Sequence, residues 1–163
     1  HWPDADMLPL GYLGPVPGLG KARETRFTHN EERTFLTLWS MFRSPLMMGG
    51  NLTRMDAWTT SLLTNPEVIA VDQHSTGNHA AITTANAVVW VAKATSVKGN
   101  YVAVFNIADT PQTLHYTWTG LGLPNGRYKL RDLWAHQNAG VKDAISVTLP
   151  AHTCVLYRAE ANR

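Results

Sequence analysis

Asn65-Pro66-Glu67-Val68-Ile69-Ala70-Val71-Asp72-Gln73-His74-Ser75-Thr76-Gly77-Asn78 is the stretch where the pattern of the chain changes. Asn65 suits a helix cap, Pro66 the first helical position, and Glu67 the positive end of the helix dipole. Val68, Ile69 and Val71 give that helix an apolar side. From Asp72 to Asn78 the helical spacing gives way to a polar, glycine-containing connector, expected to be a hinge between two halves.

Upstream, helices alternate with short apolar runs. Thr28-His29-Asn30-Glu31 is a capping-box pattern, and Phe35, Leu38, Trp39 and Phe42 follow at helical spacing on one face. Ser44-Pro45 ends that helix. Leu46-Met47-Met48-Gly49-Gly50 is wholly apolar and closed by two glycines, which predicts a strand buried on both faces, as in a parallel sheet. Ala57 to Leu63 reads as another helix. Such alternation points to an α/β architecture.

Downstream, alternation of period two takes over. Leu114, Tyr116 and Trp118 face one way, and Thr113, His115 and Thr117 the other. Ile145, Val147 and Leu149 alternate with Ser146 and Thr148. Ala87 to Ala92 and Tyr101 to Ile107 are richer in apolar residues and are expected to be central. Turns are expected at Lys98-Gly99-Asn100, Asp109-Thr110-Pro111, Pro124-Asn125-Gly126 and Asn138-Ala139-Gly140. About seven strands at this spacing predict an antiparallel sandwich.

Bulk properties narrow the function. The chain has 163 residues, 44% hydrophobic and 16% charged, enough for one domain or two small ones with a sizeable core. Its net charge of +2 comes from scattered residues. Arg127, Lys129 and Arg131, at period two, would share one strand face; a solvated face is the reading, and nucleic-acid binding the remote alternative. Cys154 is the only cysteine, so no intrachain disulfide or zinc-ligand spacing exists, and its apolar neighbours predict a small buried hydrophobe. No apolar run reaches the roughly 18 residues of a membrane span. The compartment is left open, a secreted or periplasmic one included. Asn51-Leu52-Thr53 fits a glycosylation sequon, a three-residue pattern of little weight.

Chemistry concentrates at the start. His1-Trp2-Pro3-Asp4-Ala5-Asp6-Met7-Leu8 places two acids beside a tryptophan, with no initiator methionine, and the chain is expected to be cut inside a functional region. In an extended segment Asp4 and Asp6 would share a face, roughly 6.5–7 Å apart at Cα. Glycoside hydrolysis uses carboxyl pairs roughly 5–9.5 Å apart, but neighbours on one strand face approach a sugar ring poorly from two sides. The readings are therefore one acid binding sugar hydroxyls while the other fixes the loop, or an Asp-rich turn with two local backbone bonds. Trp2 could stack on a pyranose or sit in a core. Trp39, Trp58, Trp90, Trp118 and Trp134 fit cores by periodicity.

Other candidates carry less. His74 and His79 have no third ligand at metal-binding spacing. Ser61, Ser75 and Ser96 lie in no nucleophile elbow. Gly14, Gly18 and Gly20 suit a loop rather than a phosphate cradle. Asn51 would sit at the C-terminal end of its strand if that strand belonged to a (β/α)8 barrel, where active sites gather; otherwise it is a turn or helix-entry residue.

Trp2 to Leu8, Glu32-Arg33-Thr34, Leu38-Trp39-Ser40, Ser44-Pro45-Leu46-Met47-Met48-Gly49 and Leu63 to Gln73 together resemble family 27 of the glycoside hydrolases, the α-galactosidases and α-N-acetylgalactosaminidases. Tyr128-Lys129-Leu130-Arg131-Asp132-Leu133-Trp134 resembles a strand of that family's C-terminal domain. The resemblance implies the last strands and helices of a (β/α)8 TIM barrel over 1–76, then an antiparallel Greek-key β-sandwich over 77–163. It implies a retaining hydrolase acting on terminal α-linked galactose, with no metal or organic cofactor. Its nucleophile and acid/base aspartates would lie upstream, so no catalytic residue is expected here and the chain by itself should be inactive. Asp6 and Met7 would bind substrate and Asp4 would support them; Trp2 joins them as a substrate-binding candidate on its own stacking reading. The implied partners are a galactoside or related glycan and the missing N-terminal barrel segment, with neither nucleic acid nor membrane. Pro3 and Ala5 depart from the family motif, where Asn and Pro are usual, and the family's common disulfides are absent. The competing expectation is a non-catalytic carbohydrate-binding or structural β-sandwich, which an exposed aromatic row on one sheet face would favour. Because an incomplete barrel leaves strand edges unpaired, residues 1–75 are expected to fold poorly alone and 78–163 to stand as a stable sandwich.

Overall fold

The computed structural model describes residues 4–15 and 20–162. The Thr28 capping box forms as expected: its hydroxyl accepts from the Glu31 N–H, and the Glu31 carboxylate accepts from the Thr28 N–H. It opens helix α1 (His29–Phe42), which ends at Arg43 in a left-handed conformation. Asp56 caps α2 (Ala57–Leu63), its carboxylate accepting from the Thr59 N–H. Asn65 caps α3 (Pro66–Gln73), accepting from the N–H groups of Glu67 and Val68. Ahead of α1, the two-residue strands β1 (Tyr12–Leu13) and β2 (Arg23–Glu24) pair antiparallel.

Eight strands follow: β3 (Ser75–Thr83), β4 (Ala87–Ala94), β5 (Asn100–Asn106), β6 (Gln112–Thr117), β7 (Tyr128–Asp132), β8 (Gln137–Lys142), β9 (Ala144–Leu149) and β10 (Cys154–Ala161). Six form an antiparallel sheet in the order β3-β4-β5-β10-β7-β8, and β6 pairs with β9 as a second layer. The expected alternation holds in that layer: Leu114, Tyr116, Trp118, Ile145, Val147 and Leu149 turn inward. β5, central in the larger sheet, is buried along Tyr101–Asn106. Its two faces serve two cores. Val102 and Val104 meet Trp118 and Ile145, whereas Ala103 and Phe105 meet Leu36, Met41, Val68 and Val71 from the helices. The molecule is thus helices, sheet and strand pair in three layers.

Four expectations change. Leu46–Gly50 is not a strand buried on both faces. Only Met48 makes a bridge, parallel to Leu8, through Leu8 N–H to the Met47 carbonyl (2.7 Å) and Gly49 N–H to the Leu8 carbonyl (2.8 Å), and Met47 is 63% exposed. Among the described residues no further strand pairs with it. Asn138-Ala139-Gly140 is not a turn but part of β8, where Gly140 at φ 81 accompanies a register shift against Leu130 and Arg131. The chain reverses at 133–136 instead. Residues 72–78 are not a loose hinge. They are the end of α3 and the start of β3, pinned by Arg43 donating to the carbonyls of Asp72 and Ser75 and by Asn78 donating to the Met41 carbonyl. Finally, the face of α1 that is fully buried carries Glu32, Leu36, Thr37, Ser40 and Met41, while Phe35, Leu38 and Trp39 are only partly covered.

Candidate functional site

Asp4–Met7 is neither strand nor helix but a loop held by local side-chain hydrogen bonds. The Asp4 carboxylate accepts from the Asp6 N–H (3.0 Å), and the Asp6 carboxylate from the Met7 N–H (2.7 Å). Asp6 takes φ 69, a left-handed conformation uncommon outside glycine and most tolerated by Asp and Asn. The two local backbone bonds are those of the Asp-turn reading. Asp4, Asp6 and Met7 are all exposed, Met7 by 51%. Trp2 lies outside the described residues.

Three groups from distant parts of the chain hold this turn. The Ala5 N–H donates to Ser44 Oγ (2.9 Å), and the Trp39 indole N–H donates to the Asp6 carbonyl (2.9 Å). Met7 lies against Gly49: a Cβ built there would meet Met7 Cγ at 2.8 Å and Sδ at 2.9 Å. The neighbouring Gly50 is just as tight, since its Cβ would meet the Leu10 carbonyl oxygen at 2.3 Å. Bare glycines therefore let the two parallel segments approach. Behind them, buried Glu32 accepts from the Trp58 indole N–H (2.6 Å) and, at 3.4 Å, from the Gly11 N–H, joining this layer to α1 and α2.

The sequence reading does not single out Ser44, Trp39 or Gly49 as site residues. Trp39 reads as core by its spacing, and its partner is a backbone carbonyl, which no side-chain pattern announces. A glycine pair closing an apolar run was the available signal for Gly49. Asn51 is the cap of a single 3-10 turn, Leu52–Arg54, its amide oxygen accepting from the Thr53 N–H and hydroxyl. That is its turn-residue reading.

His74 follows α3 and His79 lies in β3; among the described residues no three His, Cys, Asp or Glu side chains stand close enough for a metal ion. No helix of the described residues is long and apolar enough to cross a membrane. Cys154 is buried, and burial pushes its thiol pKa up. Arg131 is not part of a merely solvated face: it forms a two-point ion pair with Glu67 (2.6 and 2.7 Å), docking α3 on β7.

Comparison with known proteins agrees with this architecture. Residues 84–159 match the family described as the alpha-galactosidase C-terminal beta sandwich domain. The α-galactosidase of Coffea arabica is 34% identical over 93% of this chain and 38% of its own length. That of Cyamopsis tetragonoloba is 32% identical over 96% of the chain and 36% of its own length. Among solved structures, a family 27 β-L-arabinopyranosidase from Geobacillus stearothermophilus, in complex with arabinose, superposes with a TM-score of 0.93 at 41% identity, covering 100% of this chain and 38% of that one. A protein from Bacillus halodurans described as an α-N-acetylgalactosaminidase gives 0.91 at 34% identity, covering 99% and 40%. The chain therefore spans little more than a third of the relatives it matches.

Proposed function

We infer the function of this chain from its family: it belongs to family 27 of the glycoside hydrolases, whose C-terminal region it matches. Within that family we propose that it serves a retaining hydrolase of terminal α-linked galactosides. Residues 1–76 complete a (β/α)8 barrel, and 77–163 form the C-terminal sandwich. A lone parallel bridge between Leu8 and Met48, with an exposed Met47, supports the barrel reading. Parallel strands are stable when covered on both faces, so this pair calls for neighbours. Near it, Asp72 Oδ1 is buried without a hydrogen-bond partner among the described residues, beside an open apolar cleft that includes Leu46, Met48 and Leu63.

Asp6 is the substrate-binding acid of this reading. Asp4 fixes its loop, Met7 lines the pocket, and Trp2 contributes stacking. One Asp6 oxygen is engaged by the Met7 N–H, and the exposed carboxylate retains capacity for sugar hydroxyls. Hydrogen bonds to a carboxylate strengthen as positive charge develops at the ring, so Asp6 contributes to transition-state stabilisation. The bond-breaking aspartates belong to the upstream segment. The observation that carries the proposal is the Asp6–Met7 turn locked against Gly49 and Trp39 in a chain whose relatives are glycosidases.

A second sugar is favoured by one observation. Identity to the β-L-arabinopyranosidase, 41–42%, exceeds that to the α-galactosidases of Coffea and Cyamopsis, 34% and 32%. β-L-Arabinopyranose is α-D-galactopyranose without its hydroxymethyl group, so one carboxylate could hold the hydroxyls common to both. The test compares p-nitrophenyl α-D-galactopyranoside and p-nitrophenyl β-L-arabinopyranoside with the full-length enzyme. Asp6→Asn should lower kcat/KM on the preferred glycoside about ten- to a hundredfold, the loss of a charged hydrogen-bond acceptor. The present chain alone should release no nitrophenol; turnover by it would place the nucleophile within these residues and sink the proposal.

A further inference from the structure

The Asp6 carbonyl accepts one side-chain hydrogen bond, from the Trp39 indole N–H at 2.9 Å, and it does so where Asp6 takes φ 69. A non-glycine residue in this region persists when its surroundings over-determine it. Asp4 fixes the Asp6 N–H from one side, Ser44 the preceding Ala5 N–H, and Trp39 the carbonyl that follows. Trp39 is itself immobilised, stacked on Phe35 with ring centroids 3.7 Å apart. Helix α1 is capped and packed on the sheet, so the indole carries its register to the loop. From below, Gly49 leaves space for the Met7 thioether and no more.

We propose that Trp39, with Gly49, is a positioning residue for the sugar site, fixing the direction of the Asp6 carboxylate and the Met7 side chain and thereby the choice of sugar. The inference rests on the substrate-binding role given to Asp6. Without the indole N–H, Asp6 can relax toward negative φ, which swings its carboxylate and carries Met7 with it. A methyl at Gly49 pushes Met7 from the opposite side without touching that hydrogen bond. Both changes alter the shape offered to the part of the pyranose where galactose and arabinopyranose differ, or the grip on the hydroxyls they share.

The test uses the full-length enzyme and both p-nitrophenyl glycosides. Trp39→Phe keeps an aromatic ring against Phe35 and removes the donor together with part of the indole's bulk. It should raise KM about three- to tenfold, the effect of one hydrogen bond, and shift the ratio of kcat/KM between the two sugars. Gly49→Ala should shift the same ratio. Trp134→Phe removes an indole N–H that serves the core hydroxyl of Thr37, so it should lower the melting temperature and leave the ratio unchanged. If Asp6→Asn lowers kcat/KM while Trp39→Phe and Gly49→Ala keep the wild-type KM and ratio, the positioning role is wrong and the glycosidase reading stands. If Asp6→Asn has wild-type kinetics, the sugar-binding role of Asp6 falls and the inference with it. Should Trp39→Phe fail to fold, the Gly49→Ala ratio decides.

Discussion

Asn65 concentrates several duties in one side chain. Its amide oxygen caps α3, and its amide nitrogen donates to the Leu133 carbonyl (3.0 Å), 68 residues away and just past the end of β7. The residue is buried, so neither half of the amide can turn to water. Asn65→Ala loses the cap and strands a buried carbonyl, which should cost about 2–4 kcal/mol in urea unfolding. Asn65→Ser keeps a capping oxygen but cannot reach Leu133, so it should recover about half of that loss. Equal effects of the two would show that the long-range bond contributes nothing. The cap was legible in the sequence because Asn-Pro-Glu is a local signal. The bond to Leu133 was not, because nothing in either segment encodes the other's position.

At the scale of elements, α3 is fastened to the sheet by charge as well as by Val68 and Val71. Glu67 receives both Arg131 contacts and lies 2.7 Å from His136 Nδ1. The Arg131 hydrogen bonds, with help from His136 and against the cost of burial, hold the Glu67 carboxyl below its ordinary value of 4.5. A carboxyl lowered by folding contributes stability that is fully present above its unfolded value and is lost as pH falls through the folded one. Glu67→Gln should therefore lower the melting temperature at pH 7. The gap to the wild type should narrow below about pH 4 and close under acid conditions, where both side chains are neutral. A gap independent of pH would mean that shape, not charge, docks α3. This pairing hid behind period two: Arg127, Lys129 and Arg131 share a face by pattern, and the pattern does not tell that Arg131 meets Glu67 of the helix. Helix α1 misled in the complementary way. Its largest apolar residues are only partly covered, while its buried face holds Glu32 bonded to Trp58 and Thr37 accepting from Trp134. Polar groups satisfied by distant partners carry no hydrophobic signal, so periodicity chose the aromatic side.

Across the whole molecule, strand alternation made the sandwich readable, and the change of pattern after Gln73 gave the order of its parts. Composition alone could not show that the two parts share a core. Leu36, Met41, Val68 and Val71 pack with Ala103, Phe105 and Leu156, all within one cluster and nearly or fully buried. Each large apolar side chain so covered contributes roughly 1.5–3 kcal/mol. The helices are thus as much the lid of the sheet as the flank of the proposed barrel, and the expectation of a self-sufficient 78–163 sandwich meets a physical objection. Residues 75–163 produced alone would expose Tyr101, Ala103, Phe105 and Leu156 together, a patch of the kind that drives association. That piece should melt below the 163-residue chain, bind a hydrophobic dye such as ANS, and self-associate in sedimentation. In the longer chain, limited proteolysis should cut first ahead of α1, where cover is thin, and spare α1 to α3 along with the sheet. Leu156→Ala should destabilise the longer chain by about 2–5 kcal/mol, because its cavity opens beneath α1 where helix and sheet share the loss. A 75–163 piece that is monomeric, dye-silent and melts with the parent chain would instead make the helices passengers on the sheet, and the division at residue 76 a boundary between independent folding units.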